Sequence, residues 1–230
     1  AAAKEYIKVY GVLIGKKPII FTSNDSAYET ALEFKKQGIN PIVLDTREDQ
    51  NSELIEEAKN QNIEIRFSHA VIAAHGYTKV KSVTFGRLNK DKTNFENIER
   101  LTCDCICVSG FWTPTVHLAS QSGNKLKFDE KIDAFIPDKN KQNEKSLGAS
   151  NGIFNLKETL QKSFEIGSET SKLITKNNES VLIPKVNEKK QSTHDKFWCS
   201  PLPKNKDYKR FVDFQNDVAV SDIELALREG

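Results

Sequence analysis

Two short apolar runs, Pro18-Ile-Ile-Phe-Thr22 and Pro41-Ile-Val-Leu44, constrain this chain more than anything else in it. Runs of this length without polar alternation are what strands look like when both faces of a parallel sheet are covered. Between them lies a helical pattern. Ser26 and Glu29 form an S-x-x-E capping box, while Ala27, Tyr28, Ala31, Leu32 and Phe34 supply an apolar side, and Gly38 suits a C-cap. Strand, helix and parallel strand within about 30 residues make a βαβ unit, which has one favoured hand of crossover. The pattern repeats, with a helix over Ser52–Asn60 and a third strand at Ile63-Glu-Ile-Arg66. A short amphipathic helix over residues 2–10 precedes all of this.

The period then changes. Ala70–Ala74 and Val83-Thr-Phe85, separated by Gly76-Tyr-Thr-Lys79, predict an antiparallel excursion within the same domain, and Leu101–Val108 is a further strand candidate. Thr115–Ser120 suits a helical turn. After a polar stretch at 138–146, Leu147-Gly-Ala-Ser-Asn-Gly152 opens a helix whose Ile153, Leu156, Leu160 and Phe164 share a side, and Gly167 closes it. Residues 168–209 are rich in Lys, Asn, Glu and Ser and predict a polar linker with a tethered strand near Val181–Ile183. Phe211-Val-Asp-Phe214 and a helix capped by Ser221 and Glu224 begin a further element. The fold class is α/β: a Rossmann-like βαβ domain with an antiparallel excursion, part of a second dinucleotide-binding domain, and the start of a small helical segment.

At 230 residues the chain can bury a substantial core, and its apolar runs are far shorter than the roughly 20 residues a bilayer crossing needs. Thirty-four basic against 32 acidic residues give a net charge of +2, so no global field draws nucleic acid or anionic lipid. Neither nucleic acid nor membrane is an expected partner. Four cysteines, three of them in Cys103-Asp-Cys-Ile-Cys107, make poor disulfide staples and suit a reducing cytoplasm. The first ten residues mix acid and base without the apolar core of a signal peptide. The absence of methionine and an ending on a helical pattern suggest an excerpt of a longer protein.

Four places could carry chemistry. The first βα turn, Thr22-Ser-Asn-Asp-Ser-Ala27, stands where a dinucleotide-binding domain presents backbone N–H groups to pyrophosphate, yet it contains no glycine, and Asp25 would repel the phosphates. Asp45, twenty residues after Asp25, stands where an acid grips a ribose diol. Without a ligand both are ordinary parts of a βαβ unit. Ser109-Gly-Phe-Trp-Thr-Pro114 closes a strand with a tight turn, at an edge where open α/β sheets bind ligands or where Trp112 fills a packing gap. The Gly148–Gly152 turn could meet a phosphate or merely start a helix. Cys103, Cys105 and Cys107 fall on one strand face about 6–7 Å apart in succession, which suits small core residues better than a metal site. Cys199 is isolated, and His69, His75, His117 and His194 share no ligand spacing.

Several blocks taken together resemble one family. Phe21-Thr-Ser-Asn-Asp-Ser-Ala-Tyr28, Val43-Leu-Asp-Thr-Arg47, Ser109-Gly-Phe-Trp-Thr-Pro-Thr-Val-His-Leu118, Ser120-Gln-Ser122, Phe211-Val-Asp-Phe-Gln-Asn-Asp-Val218 and Asp222-Ile-Glu-Leu-Ala226 resemble, in order, the alpha subunit of heterotetrameric sarcosine oxidase. That subunit is much longer, with a two-dinucleotide-domain first half and an aminomethyltransferase-like folate domain in its second. The resemblance implies that residues 1–100 are the inserted second dinucleotide-type domain. Residues 101–167 would return into the first, 168–209 would link, and 210–230 would begin the small helical domain. It further implies NAD bound in this subunit, at a site completed by missing upstream sequence, with FAD or FMN and tetrahydrofolate elsewhere in the complex. Ser109–Pro114 matches the family's strand-end turn. Ala149 stands where flavoprotein relatives carry an aspartate, a departure that fits NAD rather than flavin. The implied reaction is oxidative demethylation of sarcosine to glycine with hydrogen peroxide, the one-carbon unit passing to tetrahydrofolate, with beta, gamma and delta subunits as partners.

On that template this chain carries no catalytic residue. Asn24, Asp25 and Ser26 would line a vestigial phosphate end and Asp45 a vestigial ribose position. Gly110, Trp112, Gly148, Ala149 and Gly152 would form the cofactor-facing edge of the first domain. The alternatives are a Rossmann-like scaffold that binds no nucleotide, and the same region of a related flavin- and NAD-dependent N-methyl amino acid dehydrogenase.

Overall fold

The structure, a computed structural model, describes residues 2–110, 112–175, 182–186, 197–203, 208–213 and 215–230. The chain forms two compact units, one of residues 1–111 with 191–230 and one of residues 112–190.

The first unit is built on the expected α/β repeat. After helix α1 (Ala2–Lys8), β1 (Pro18–Thr22), α2 (Ser26–Lys36), β2 (Ile42–Asp45), α3 (Glu53–Asn60) and β3 (Glu64–Phe67) follow in turn. All pairings among these strands are parallel, with Ile20 opposite Val43 and Val43 opposite Ile65. An antiparallel three-stranded sheet comes next, of β4 (His69–Gly76), β5 (Val80–Leu88) and β6 (Phe95–Thr102). The chain then re-enters the first sheet as β7 (Cys105–Ser109), parallel to β1 on the side away from β2. The resulting order β3-β2-β1-β7 reverses direction at β1, which makes the β1/β7 boundary a topological switch point.

Alternation along each strand fixes the layering. In β1, Ile20 faces one way and packs with Tyr28, Ala31 and Phe34 of α2, Ile55 and Ala58 of α3, and Ala3 and Ile7 of α1. Ile19 faces the other way and packs with Leu44, Val83, Phe85 and Cys103 against the antiparallel sheet. The parallel sheet is therefore sandwiched between helices and a second sheet, which is why its strands read as continuous apolar runs. In the same unit, β10 (Phe211–Asp213) and β11 (Val218–Ala219) form a small antiparallel pair that leads into α6 (Val220–Glu229).

The second unit holds α4 (His117–Gln121), a hairpin of β8 (Leu126–Asp129) and β9 (Ala134–Pro137), a 3-10 turn over Gly148–Asn151, and α5 (Leu156–Thr175). Among the described residues no helix is long and apolar enough to cross a membrane.

Several local expectations change. The Ser26–Glu29 capping box does not form: Asp25 is the N-cap residue, Ser26 Oγ donates to Asn24 Oδ1 (2.5 Å), and Glu29 pairs with Lys4 instead. Leu101–Val108 is two strands, because the chain leaves one sheet at Thr102 and joins another at Cys105. Pairing of β7 with β1 keeps residues to Ser109 in the first sheet. Cys103 lies outside β7 and packs in the inter-sheet core, whereas Cys107 packs toward the helices, so the three cysteines do not share one face. Helix α5 continues through Gly167 to Thr175, since an exposed helical glycine costs only about 1 kcal/mol. At the last helix Ser221 lies inside the first turn, and the Asp222 carboxylate accepts from the Ala219 N–H (2.7 Å). Of the tethered strand at Val181–Ile183, Val181 lies outside the described residues and Leu182 and Ile183 are in no strand.

Candidate functional site at the ends of the parallel strands

The carboxyl ends of β1, β2 and β7 converge at the switch point. Ser23 N donates to Ser109 O (3.3 Å) and Thr46 N to Thr22 O (3.0 Å), which carries the sheet one residue beyond each strand. The Thr22 hydroxyl closes the turn by donating to Asn24 O (2.9 Å) while accepting from Asn24 N (3.1 Å). Asn24 Oδ1 accepts from both Ser26 N (2.9 Å) and Ser26 Oγ. The turn is thus held by short side chains where a nucleotide fingerprint would use glycines.

Asp45 is fully buried and wholly engaged. Its carboxylate takes a fork from one guanidinium, Arg47 Nε at 3.0 Å and Nη2 at 2.7 Å, together with Arg47 N (3.0 Å) and the Tyr28 hydroxyl (2.8 Å). Arg47, 3% exposed, also donates through Nη1 to Asp25 Oδ1 at 2.9 Å. Two carboxylates, one guanidinium and one phenol therefore form a buried network at the tips of β1 and β2 and the start of α2. Burial opposes the charged guanidinium, but its hydrogen bonds to Asp45 and then Asp25 outweigh that and raise its pKa further. Burial first, and the facing Asp45 carboxylate second, push the Tyr28 phenol far above its ordinary range.

This geometry tests the expected dinucleotide site, and the residues do not fit it. The carboxylate oxygens of Asp45 are spent on Arg47 and Tyr28, and Asp25, at the N-cap of α2 without a side-chain cap bond, places a carboxylate paired with Arg47 where a phosphate would approach. The sequence signal for the network is Asp45-Thr-Arg47 with Asp25 upstream; Arg47, Tyr28 and Ser23 were not singled out in advance as site residues.

Beside the network lies a cavity of about 280 Å³ between the ends of β1 and β7, lined by Ser23, Thr46, Ser109 and Gly110 and by the rings of Phe21, Phe197 and Trp198. A Cβ on Gly110 would meet nothing within 4 Å. Ser23 is 3% exposed, and its hydroxyl has no hydrogen-bond partner; the same holds for Asn24 Nδ2. On the helix side of the switch point a second cavity of about 260 Å³ touches Ser26, Thr30 and Cys107. The structure thus brings Asn24, Asp25, Ser26, Asp45 and Gly110 to one edge.

Trp112, Gly148, Ala149 and Gly152 belong to the other unit. There Gly152, at φ +73°, lies so close to the hairpin that a Cβ would meet Ile132 Cδ1 at 2.7 Å, and Gly148, at φ +61°, faces Thr159. At both positions the left-handed backbone and the close approach of a neighbouring side chain suit glycine. Elsewhere, Cys105 Sγ and Cys107 Sγ stand 3.8 Å apart, and Cys107 is pushed up by that contact and by burial. His69 Nδ1 meets Phe67 O and His75 Nε2 meets Thr84 Oγ1, each at 2.7 Å, while His194 lies outside the described residues. Among the described residues no three His, Cys, Asp or Glu side chains gather to hold a metal.

A parallel sheet in the order β3-β2-β1-β7, layered between helices and a smaller antiparallel sheet with cavities at its switch point, defines an α/β protein with a Rossmann-like sheet. Its sequence is similar to that of the sarcosine oxidase alpha subunit, as the blocks quoted above imply. The protein of that name from Corynebacterium sp. (strain P-1) is 29% identical over 169 residues, covering 73% of this chain and 17% of the relative. The one from Rhizobium meliloti (strain 1021) is 25% identical over 231 residues, covering all of this chain and 22% of the relative. The chain thus spans about a fifth of the length of these relatives. No family model matches the chain. Among solved structures it is similar to T. acidophilum thioredoxin reductase, with 16% identity, a TM-score of 0.42, and 59% of this chain and 47% of that one covered. The bacillithiol disulfide reductase of Staphylococcus aureus gives 16% identity and a TM-score of 0.43, covering 60% and 47%.

Proposed function

We propose that this chain is an internal portion of an oxidoreductase subunit of the sarcosine oxidase alpha type, a dinucleotide-type region that positions other modules and carries no catalytic residue itself. The observation that supports this most directly is similarity running the whole length of the chain, with 25% identity over 231 residues. In this reading the complete protein, assembled with beta, gamma and delta subunits in a reducing cytoplasm, oxidatively demethylates sarcosine to glycine with formation of hydrogen peroxide. Flavin and tetrahydrofolate chemistry take place outside this chain. NAD is held in the first dinucleotide domain, with a glycine-rich turn outside this chain and a wall from the segment after β7.

The βαβ unit itself serves as scaffold. Asp45 is committed to Arg47 and Tyr28, which favours the view that this particular turn grips no ribose. Sarcosine-dependent oxygen uptake and peroxide release by the complete assembly test the reading. Turnover of sarcosine is expected, and a complete assembly that leaves sarcosine and other N-methyl amino acids untouched would overturn it.

A further inference from the structure

The cavity between β1 and β7 combines features that the scaffold reading leaves unexplained. Thr22, Ser23, Thr46, Ser109 and Ser200 line it, and among them the Ser23 hydroxyl stands out: the residue is buried to 97% and its hydroxyl has no partner, although buried hydroxyls are almost always hydrogen-bonded. Its remaining wall is chiefly aromatic, with Phe21 and Phe197 meeting edge to face at 6.4 Å between centroids and Trp198 beside them. The segment bearing Phe197 and Trp198 is tied down where Ser200 Oγ donates to Val71 O (2.6 Å) and Arg210 Nη1 to Ser200 O (3.2 Å). Among the described residues no charged side chain lines the cavity.

Each feature restricts the occupant. A diphosphate entering here would meet no cation among the described lining residues, and Arg47, the nearest described candidate by sequence, is already engaged by Asp45 and Asp25. About 280 Å³ lies at the lower end of the roughly 300–1,000 Å³ usual for ligand pockets, too small for a dinucleotide and ample for one ring system. Aromatic walls favour a flat ring through edge and face contacts, and the unpartnered Ser23 hydroxyl gives its polar edge a place to bond. Gly110 lines the cavity at the end of β7, where a Cβ would meet nothing within 4 Å.

We propose that this switch-point cavity binds a single neutral, flat heteroaromatic ring with a hydrogen-bonding edge, of nucleobase or aromatic-amide type, its polar edge on Ser23 Oγ and its ring among Phe21, Phe197 and Trp198. The ring arrives free or as the end of a larger molecule whose charged part stays outside. The inference rests on the geometry of this cavity and does not require the proposed oxidoreductase reading.

The test uses the complete protein, with nicotinamide, adenine and intact NAD as probes, read by thermal melting and saturation-transfer NMR. At least one free ring is expected to bind and raise Tm. Ser23→Ala is expected to weaken that binding about tenfold while leaving the ligand-free Tm unchanged or higher, since it removes a hydroxyl that lacks a partner. Gly110→Val, whose side chain would stand in the cavity lining, is expected to block it. The inference is overturned where neither free ring binds, or where binding is insensitive to both changes. A fall in ligand-free Tm on Ser23→Ala overturns it as well, for the hydroxyl would then be satisfied by water in a hydrated void. Intact NAD binding at least tenfold tighter than either ring in a Ser23-dependent way overturns the exclusion of the diphosphate. NAD released from the denatured complete protein without ring binding here would sink this inference and leave the family reading standing. Ring binding in a protein that does not oxidise sarcosine would do the reverse.

Discussion

Arg47 carries great consequence in the first unit, because its guanidinium pairs with both buried carboxylates, Asp25 and Asp45. Removing one member of a buried ion network leaves charge without a partner, a loss of about 3–5 kcal/mol. Arg47→Met is therefore expected to lower unfolding free energy by that order, measured by urea denaturation. Asp45→Ala is likewise a fold variant more than a ligand variant, since it strands Arg47 half-paired in the interior. Tyr28 gives the pH signature. Its pKa is raised in the fold, so its contribution is fully present below the unfolded value of roughly 10 and is lost as pH rises beyond that. Melting temperature in the wild type should fall more steeply above pH 10 than in Tyr28→Phe, and parallel curves would contradict the network. Asp45 was legible in the sequence as a strand-end acid at the ribose spacing. Its capture by Arg47 and Tyr28 was not, because a D-x-R spacing does not say whether the chain folds back on itself after the strand. The orphaned Ser23 hydroxyl was equally invisible, since lacking a partner is a property of the packed interior.

At the scale of elements, the way β7 closes the parallel sheet makes a sharp steric claim. Asp104, just before β7, accepts from Lys16 N (2.8 Å) and Lys17 N (2.7 Å), which holds the lead into β1 against the lead into β7. Burial alone would raise its pKa, but those two backbone hydrogen bonds bring it below the usual carboxylate range. Gly15 lies beneath this clasp, where a Cβ would stand 2.6 Å from Cys105 Cβ and 2.8 Å from Asp104 Oδ1. Gly15→Ala is expected to cost about 1–3 kcal/mol, and an unchanged melting temperature would contradict the approach of the two segments. Thiol labelling probes the same region: Cys199 is exposed, Cys103 buried, and Cys107 disfavours its thiolate. Mass spectrometry should find iodoacetamide on Cys199 first and on Cys103 and Cys107 last. The elements that could be read in advance, β1, β2, α2 and α3, have strong periodicity. Those that could not are weakly patterned: β6 is an edge strand with mostly exposed side chains, and β8 and β9 hold only four residues each.

For the whole molecule, the layered first unit places a switch point where open α/β sheets bind ligands, and then fills the usual dinucleotide grip with its own side chains. Fold class and family resemblance were both readable from the sequence, because buried parallel strands have an unmistakable apolar pattern and the blocks recur in order. The extent of the first sheet was not, since β7 joins β1 across more than eighty intervening residues and no local pattern reports such a pairing. The central claim is that the βαβ unit of this chain is a closed scaffold and that NAD belongs to a site completed outside it. The most direct measurement is to purify the complete protein and the 230-residue chain in parallel, show by melting that each is folded, denature both, and quantify released nucleotides by mass spectrometry. NAD from the complete protein and none from the folded chain is the predicted result. Stoichiometric NAD from the folded chain alone would contradict it, because the buried Asp25–Arg47–Asp45 network would then have to open to admit the cofactor.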